Sequence, residues 1–243
     1  MPNLDDIIWA AIASRDPTIL PEAFNGNQAY LNVIGNGQFL ERLRYHPLDL
    51  DVNEIRNILV EFLNKWKCRL RNYDNVTASN LRNCIVDIHP ELSILQNHSI
   101  LNFNFETHDN RERIERIFNS FLFYGSPIAK NFGPTATSKV LHIINPDLFV
   151  MWDDAIRLRY WIQNNEIIDS GRGYYFFLFE TKRIAEGLVE ECGERLNLPD
   201  PASWLSERLN ITPPHSLVKF IDEFNWLAYK RGLIRPPDWV CPF

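Results

Sequence analysis

Residues 131–157 read NFGPTATSKVLHIINPDLFVMWDDAIR, and the punctuation of this stretch predicts two helices joined by a short return. Asn131-Phe132-Gly133-Pro134 has the chemistry of a tight turn: Gly suits a positive φ, Asn tolerates one, and Pro fits a first helical turn. Thr135–Ile144 then reads as a short apolar helix that stops at Asn145-Pro146. Pro146–Trp152 leads to Asp153 and Asp154, which stand at the start of a further helix running through Ala155, Ile156 and Arg157.

Helical periodicity continues on both sides of this stretch. Leu4, Ile7, Ile8 and Ala11 share one face of a helix over 4–14. Residues 16–50, rich in Pro, Asn and Gly, read as turns with a short helix around Gly37–Tyr45. Val52, Ile55, Ile58, Leu59, Phe62, Leu63 and Trp66 recur at three- and four-residue spacing and predict an amphipathic helix over 51–72. Two short helices, 77–88 and 91–101, are expected on either side of Pro90. Helices also follow over 111–124, 174–196, 203–209 and 215–230, and the tail IRPPDWVCPF (234–243) reads as extended. No repeat and no alternating strand pattern occurs, so the expectation is an all-α chain. It is read as one two-lobed helical domain over 1–243, with approximate lobes 1–105 and 106–243 and the hairpin region at 128–160.

The 243 residues are enough to bury a sizeable core, and 45% apolar and 13% aromatic content points to a folded globular protein. A net charge of −6 counts against a protein that coats nucleic acid without selectivity, while leaving room for a local basic face. The four cysteines (68, 84, 192 and 241) are scattered, and the six histidines lack metal-ligand spacing, so neither a metal nor another cofactor is expected. The N-terminus lacks a basic stretch followed by an apolar core, and no apolar run approaches a membrane span; a cytoplasmic protein with no membrane partner is expected.

The chemistry of the opening stretch lies in its two ends. A turn that opens a helix presents unpaired backbone N–H groups and the positive end of the helix dipole, which together suit a phosphate. An ordinary helix-start turn that binds nothing is the competing reading. Asp153 or Asp154 can cap the following helix. Only one is needed for that, and Phe149 and Trp152 beside the other could desolvate its carboxylate and make it a useful base.

These residues resemble the core of the helix-hairpin-helix DNA glycosylases, the superfamily of endonuclease III and of the adenine and oxoguanine glycosylases. There a Gly-hydrophobic-Gly hairpin precedes a helix, and a short apolar approach leads to an Asp commonly followed by Thr-His-Val and a basic residue. Asn131-Phe132-Gly133 would be the hairpin, Phe149–Trp152 the approach and Asp154-Ala155-Ile156-Arg157 the segment after the Asp. Here Asn131 replaces the first glycine and Ala155 the histidine. Thr135 falls where lyase-competent members carry a Schiff-base lysine, and Lys139 lies one helical turn further on. The resemblance covers about 30 residues directly.

It implies that Asp153 is the catalytic carboxylate, stabilising positive charge on the sugar and orienting a water at C1′. Lys139 has two readings, a phosphate contact near the hairpin or a nucleophile in a shifted register, and the former is preferred. The expected outcome is base release without strand cleavage. Asn131, Phe132, Gly133, Thr135 and Thr137 would contact DNA, and Trp152 would line the base pocket.

Two other features bear on the same function. Lys65-Trp66-Lys67-Cys68-Arg69-Leu70-Arg71 sets four cations around an aromatic. Lys65, Lys67 and Arg69 are candidate phosphate contacts, with a solvated helix end as the equal alternative. GRGYYFFLF (171–179) is aromatic enough to receive a flipped base, although such runs are more often core; Tyr174, at the helix start, is the candidate for facing a cleft. His142 is expected to be a structural hydrogen-bonder. The expectation is therefore an enzyme that hydrolyses the N-glycosidic bond of a damaged or modified base in double-stranded DNA, with a monomer favoured and the oligomeric state left open. The alternatives are a non-catalytic helical DNA-binding or protein-interaction module, and an unrelated helical protein in which Asp153 only caps.

Overall fold

A computed structural model describes residues 2–68, 70, 75–124, 132–159 and 169–230, with the side chains of 159 and 230 excepted. The protein is all-α, and no strand occurs among the described residues. The chain runs through α1 (Leu4–Ala13), α2 (Pro21–Ile34), α3 (Gly37–Tyr45), a 3-10 turn at Pro47–Asp49, α4 (Val52–Glu54), a π-helical segment Ile55–Val60 and α5 (Glu61–Lys65). It continues with α6 (Asn75–Leu95), α7 (His108–Leu122), α8 (Pro134–Ile144), α9 (Asp154–Arg159), α10 (Gly171–Leu196), α11 (Pro201–Arg208) and α12 (Leu217–Asn225), which passes into a second π segment, Trp226–Lys230.

Local sequence explains most helix starts. Asn3 and Asp6 form a reciprocal capping box on α1, as Asp51 and Glu54 do on α4. Ser170, Asp200 and Ser216 cap α10, α11 and α12 through their side chains.

Two expectations are corrected. Residues 21–34 are not turns but helix α2: Pro21 takes the first helical turn, and Ala23, Gly26, Asn27, Tyr30 and Val33 recur on a buried face. Gly26 is small for a packing reason, because a Cβ there would lie 2.9 Å from Cζ2 of Trp66. Pro90 does not separate two helices either; it lies inside α6. Ile85, Ile88, Leu92 and Leu95 bury one face across the proline, and that packing outweighs the roughly 3 kcal/mol an interior proline costs.

The first and last described α-helices meet. α1 packs on α10 and α12, α2 on α5, α3 on α6 and α8, and α7 on α6, α8 and α10. The first helix thus lies with helices of the second half of the chain. An aromatic cluster fills the space between α7, α8 and α10: Phe118 stacks on Tyr174 at 4.3 Å and Trp152 on Phe177 at 5.7 Å. No described helix is long and apolar enough to cross a membrane. The tail at 234–243 lies outside the described residues.

Candidate functional site

Helix α8 and the segment that returns alongside it are laced together by polar side chains at helical spacing. Thr135, Ser138 and His142 share one face of α8. Ser138 Oγ accepts the Trp152 N–H at 2.8 Å, and Thr135 Oγ1 donates to the Trp152 carbonyl at 3.4 Å. His142 Nδ1–H donates to the Phe149 carbonyl at 2.6 Å. The Tyr30 hydroxyl donates to His142 Nε2 at 3.2 Å, so this imidazole is a neutral structural hydrogen-bonder. Burial pushes its pKa down to about 3. From α9, Arg157 reaches back to Thr135 Oγ1 at 2.7 Å and to the Trp152 carbonyl at 3.0 Å.

This lacing sets Asp153 against Lys139. The Lys139 ammonium donates to Asp153 Oδ1 at 2.8 Å, and the two side chains are 1% and 6% exposed. Lys139 also donates to the Trp66 carbonyl at 3.4 Å and stands 4.8 Å from the centre of the Trp66 ring. Burial opposes the ammonium, but the Asp153 carboxylate outweighs it with help from Cys68 and Asp222, and the lysine pKa lies above its ordinary value. Asp153 also holds the N-cap position of α9, its backbone carbonyl accepting the Arg157 N–H at 2.8 Å. Asp154 is exposed and accepts from the Ala155 N–H.

Several expected roles change. Lys139 is too deeply buried to contact a DNA phosphate, so the preferred reading of that residue is corrected: it is the partner of Asp153. Trp152 and Tyr174 do not line a cleft, because they are 2% and 0% exposed within the aromatic cluster. The Tyr174 hydroxyl donates to the Val150 carbonyl at 2.8 Å, inside the core. Gly133 has φ 3° and ψ 159°, short of the left-handed region expected for it, and caps α8 without a side-chain bond. Phe132 and Thr137 are buried, while Gly133 and Thr135 are half-buried. Thr137 Oγ1 has no hydrogen-bond partner among the described residues. Asn131 and Arg69 lie outside the described residues.

Lys65 and Lys67 stand on the surface, paired with Glu61 at 2.9 Å and Glu22 at 3.0 Å. Exposed pairs of this kind are worth ~0–1 kcal/mol and are readily exchanged for another anion. Lys67 has φ 58°, one of three non-glycine residues with positive φ among those described.

The sequence reading passed over a second set of buried charges beside the pair. On α12, Lys219 contacts Asp222 at 3.2 Å and Glu223 at 3.3 Å. Arg15, just past α1, grips Glu223 with two bonds of 2.8 and 3.1 Å and donates to His215 Nδ1 at 2.8 Å. Three buried or half-buried cations, Arg15, Lys139 and Lys219, therefore face three buried carboxylates, Asp153, Asp222 and Glu223. The signal in sequence was LVKFIDEFN at 217–225, where charges recur three and four residues apart; such a pattern ordinarily marks a solvated face. Here all nine residues are buried.

No group of His, Cys, Asp and Glu among the described residues could hold a metal ion. Two surface hollows, one lined by Asn32, Asn57 and Lys65 and the other by Asn104, Phe105 and Lys182, lie away from Lys139 and Asp153. Comparison with protein-family models, with curated proteins and with solved structures returned no match.

Proposed function

We propose that the protein is a DNA N-glycosylase of the helix-hairpin-helix type, acting on a damaged or modified base, with Asp153 as its essential carboxylate. The observation that carries this reading is the 2.8 Å contact between Lys139 and Asp153. It sets a lysine beside the aspartate that the resemblance to that superfamily makes catalytic, one helical turn past Thr135, where the lyase-competent members carry theirs. The ammonium favours an ionised Asp153 in apolar surroundings, and a fixed carboxylate stabilises the positive charge that grows on the sugar as the C1′–N bond breaks. A water then adds at C1′. A protonated amine has no free lone pair, so Lys139 in this state does not attack C1′, and the product is an abasic site on an intact strand. Lys65 and Lys67 would follow the DNA backbone.

A second reading, a helical binding module without chemistry, is supported by the closure of the pair: Asp153 is only 4% exposed and Lys139 not at all. One experiment separates the two. Duplex oligonucleotides carrying a panel of damaged and modified bases are incubated with the protein, and half of each sample is treated with alkali. Strand breaks that appear only after alkali support hydrolysis without a lyase step. Breaks before alkali, with borohydride trapping at Lys139, overturn the assigned lysine role. Salt-sensitive DNA binding with no product on any substrate favours the module.

A further inference from the structure

The Lys139–Asp153 pair has a second pair beside it. The ammonium groups of Lys139 and Lys219 stand 4.8 and 5.7 Å from the centre of one indole ring, that of Trp66. The ring is held in place by α2: Trp66 Nε1–H donates to the Gly26 carbonyl at 3.1 Å. Two Lys–Asp pairs, one from α8 and the loop before α9 and one from α12, thus share one aromatic ring through their lysines. The two carboxylates of α12 differ in how they are held. Glu223 is held by two cations, Arg15 and Lys219. Asp222 is as deeply buried, yet among the described residues its hydrogen-bond partner is Lys219 alone.

We propose that Asp222, acting through Lys219 and Trp66, is a positioning residue of the Lys139–Asp153 site and sets the charge balance in which that pair works.

Asp222 is the group of the cluster best suited to this. A carboxylate with one cationic partner leaves much of its negative charge to be felt by its neighbours, whereas Glu223 is balanced by two cations. Burial pushes Asp222 up to about 6 against the pull of Lys219, and the charges of Asp153 and Glu223 add to the rise. In turn Asp222 helps to hold Lys139 protonated and opposes ionisation of the buried Tyr30 and Tyr174 hydroxyls. Both segments that deliver the second pair and the ring adjoin π-wound backbone, Ile55–Val60 ahead of Trp66 and Trp226–Lys230 behind α12. Such segments re-aim side chains by inserting one extra residue per turn.

The proposal rests on the glycosylase reading for its catalytic consequence but has a readout that does not. The protein, labelled at lysine Nζ with 15N, is titrated by NMR as wild type, Asp222→Asn and Asp222→Glu. The expected result is that Asp222→Asn lowers the titration midpoint of Lys139 by on the order of one pH unit, the effect of removing a unit charge several ångströms away in a buried site. Asp222→Glu restores it. If Asp222→Asn does not fold, the wild type labelled at aspartate carboxyl carbons decides instead: Asp153 and Asp222 should titrate interdependently, with broadened curves. An unchanged Lys139 midpoint, or two independent aspartate titrations, overturns the proposal. Where base release is measurable, its acidic limb should move to lower pH in Asp222→Asn. Absence of any product counts against the glycosylase reading alone.

Discussion

Lys139 and Asp153 are 14 residues apart in the chain, and the structure brings the ammonium to 2.8 Å from the carboxylate with both groups out of water. Neither charge has bulk solvent to fall back on. Removing one partner strands the other, whereas removing both leaves a space that apolar side chains can fill. Lys139→Met and Asp153→Leu are therefore each expected to cost roughly 3–5 kcal/mol, and the double replacement less than either. Urea unfolding of the three variants checks this, and single variants that unfold like wild type would contradict the burial of the pair.

Asp153→Asn is isosteric and keeps a hydrogen-bond acceptor for Lys139 but removes the negative charge. On a substrate that the wild type processes, base release should fall by about 10²-fold or more while DNA affinity stays within a few-fold, since a charge felt chiefly in the transition state changes rate more than binding. Single-turnover assays beside binding titrations separate the two, with circular dichroism confirming the fold. Equal losses in rate and binding would point to a structural role for Asp153.

Gly171 opens α10 against the backbone of α7. A Cβ at this position would lie 2.4 Å from the Glu115 carbonyl oxygen and 2.7 Å from its Cα, so backbone, not a flexible side chain, must move. The Gly171 N–H also donates to Asn119 Oδ1 at 2.8 Å, which fixes the approach. Gly171→Ala should destabilise the protein by about 1–3 kcal/mol. Thermal melts will read this as a lower midpoint; an unchanged midpoint would mean that the helices separate freely.

Acidification should destabilise the protein well before its ordinary carboxylates titrate. His142 is neutral and buried, with its pKa depressed to about 3. It contributes fully above the unfolded value near 6.5, and that contribution fades as pH falls toward 3, by about 2 kcal/mol between pH 6.5 and 5. His215, whose pKa burial also depresses, acts in the same direction. Asp222 works the other way, because a carboxylate raised to about 6 is relieved by protonation below that pH, but its displacement is smaller. Unfolding free energies at pH 7 and 5 test the net sign, and a protein more stable at pH 5 would show that Asp222 dominates.

Glu223 extends this loss to lower pH. Burial would raise its carboxyl, but Arg15, Lys219 and His215 outweigh burial and hold it far below the usual range. Its contribution is present above about pH 4.5 and is lost only as the pH falls further. Arg15→Met should remove part of that contribution, seen as a stability difference from wild type that narrows toward low pH.

Periodicity and capping alone are enough to read α1, α3, α7, α8, α10 and α11 from the sequence, because each has apolar residues three and four apart and turn chemistry at its ends. They were not enough for α2 or for the middle of α6. Pro, Gly and Asn weigh against a helix locally, and only contacts made elsewhere, such as Trp66 against Gly26 or the buried face across Pro90, reverse that balance. Asp153 was legible for a local reason too: it follows an apolar approach and precedes a helix. What tertiary structure decided is which charges are buried and against what. Lys139 read as a phosphate contact, and the charge spacing of Lys219, Asp222 and Glu223 as that of a solvated face, since a sequence records spacing along a helix but not what docks on it. Burial comes from Lys139 of α8 and Lys219 of α12 standing over Trp66, with α1 packed on α12. Burial turns these side chains from surface charges of little energetic consequence into interdependent pairs, because the attraction between two charges, and the cost of leaving one alone, both rise steeply when water is excluded.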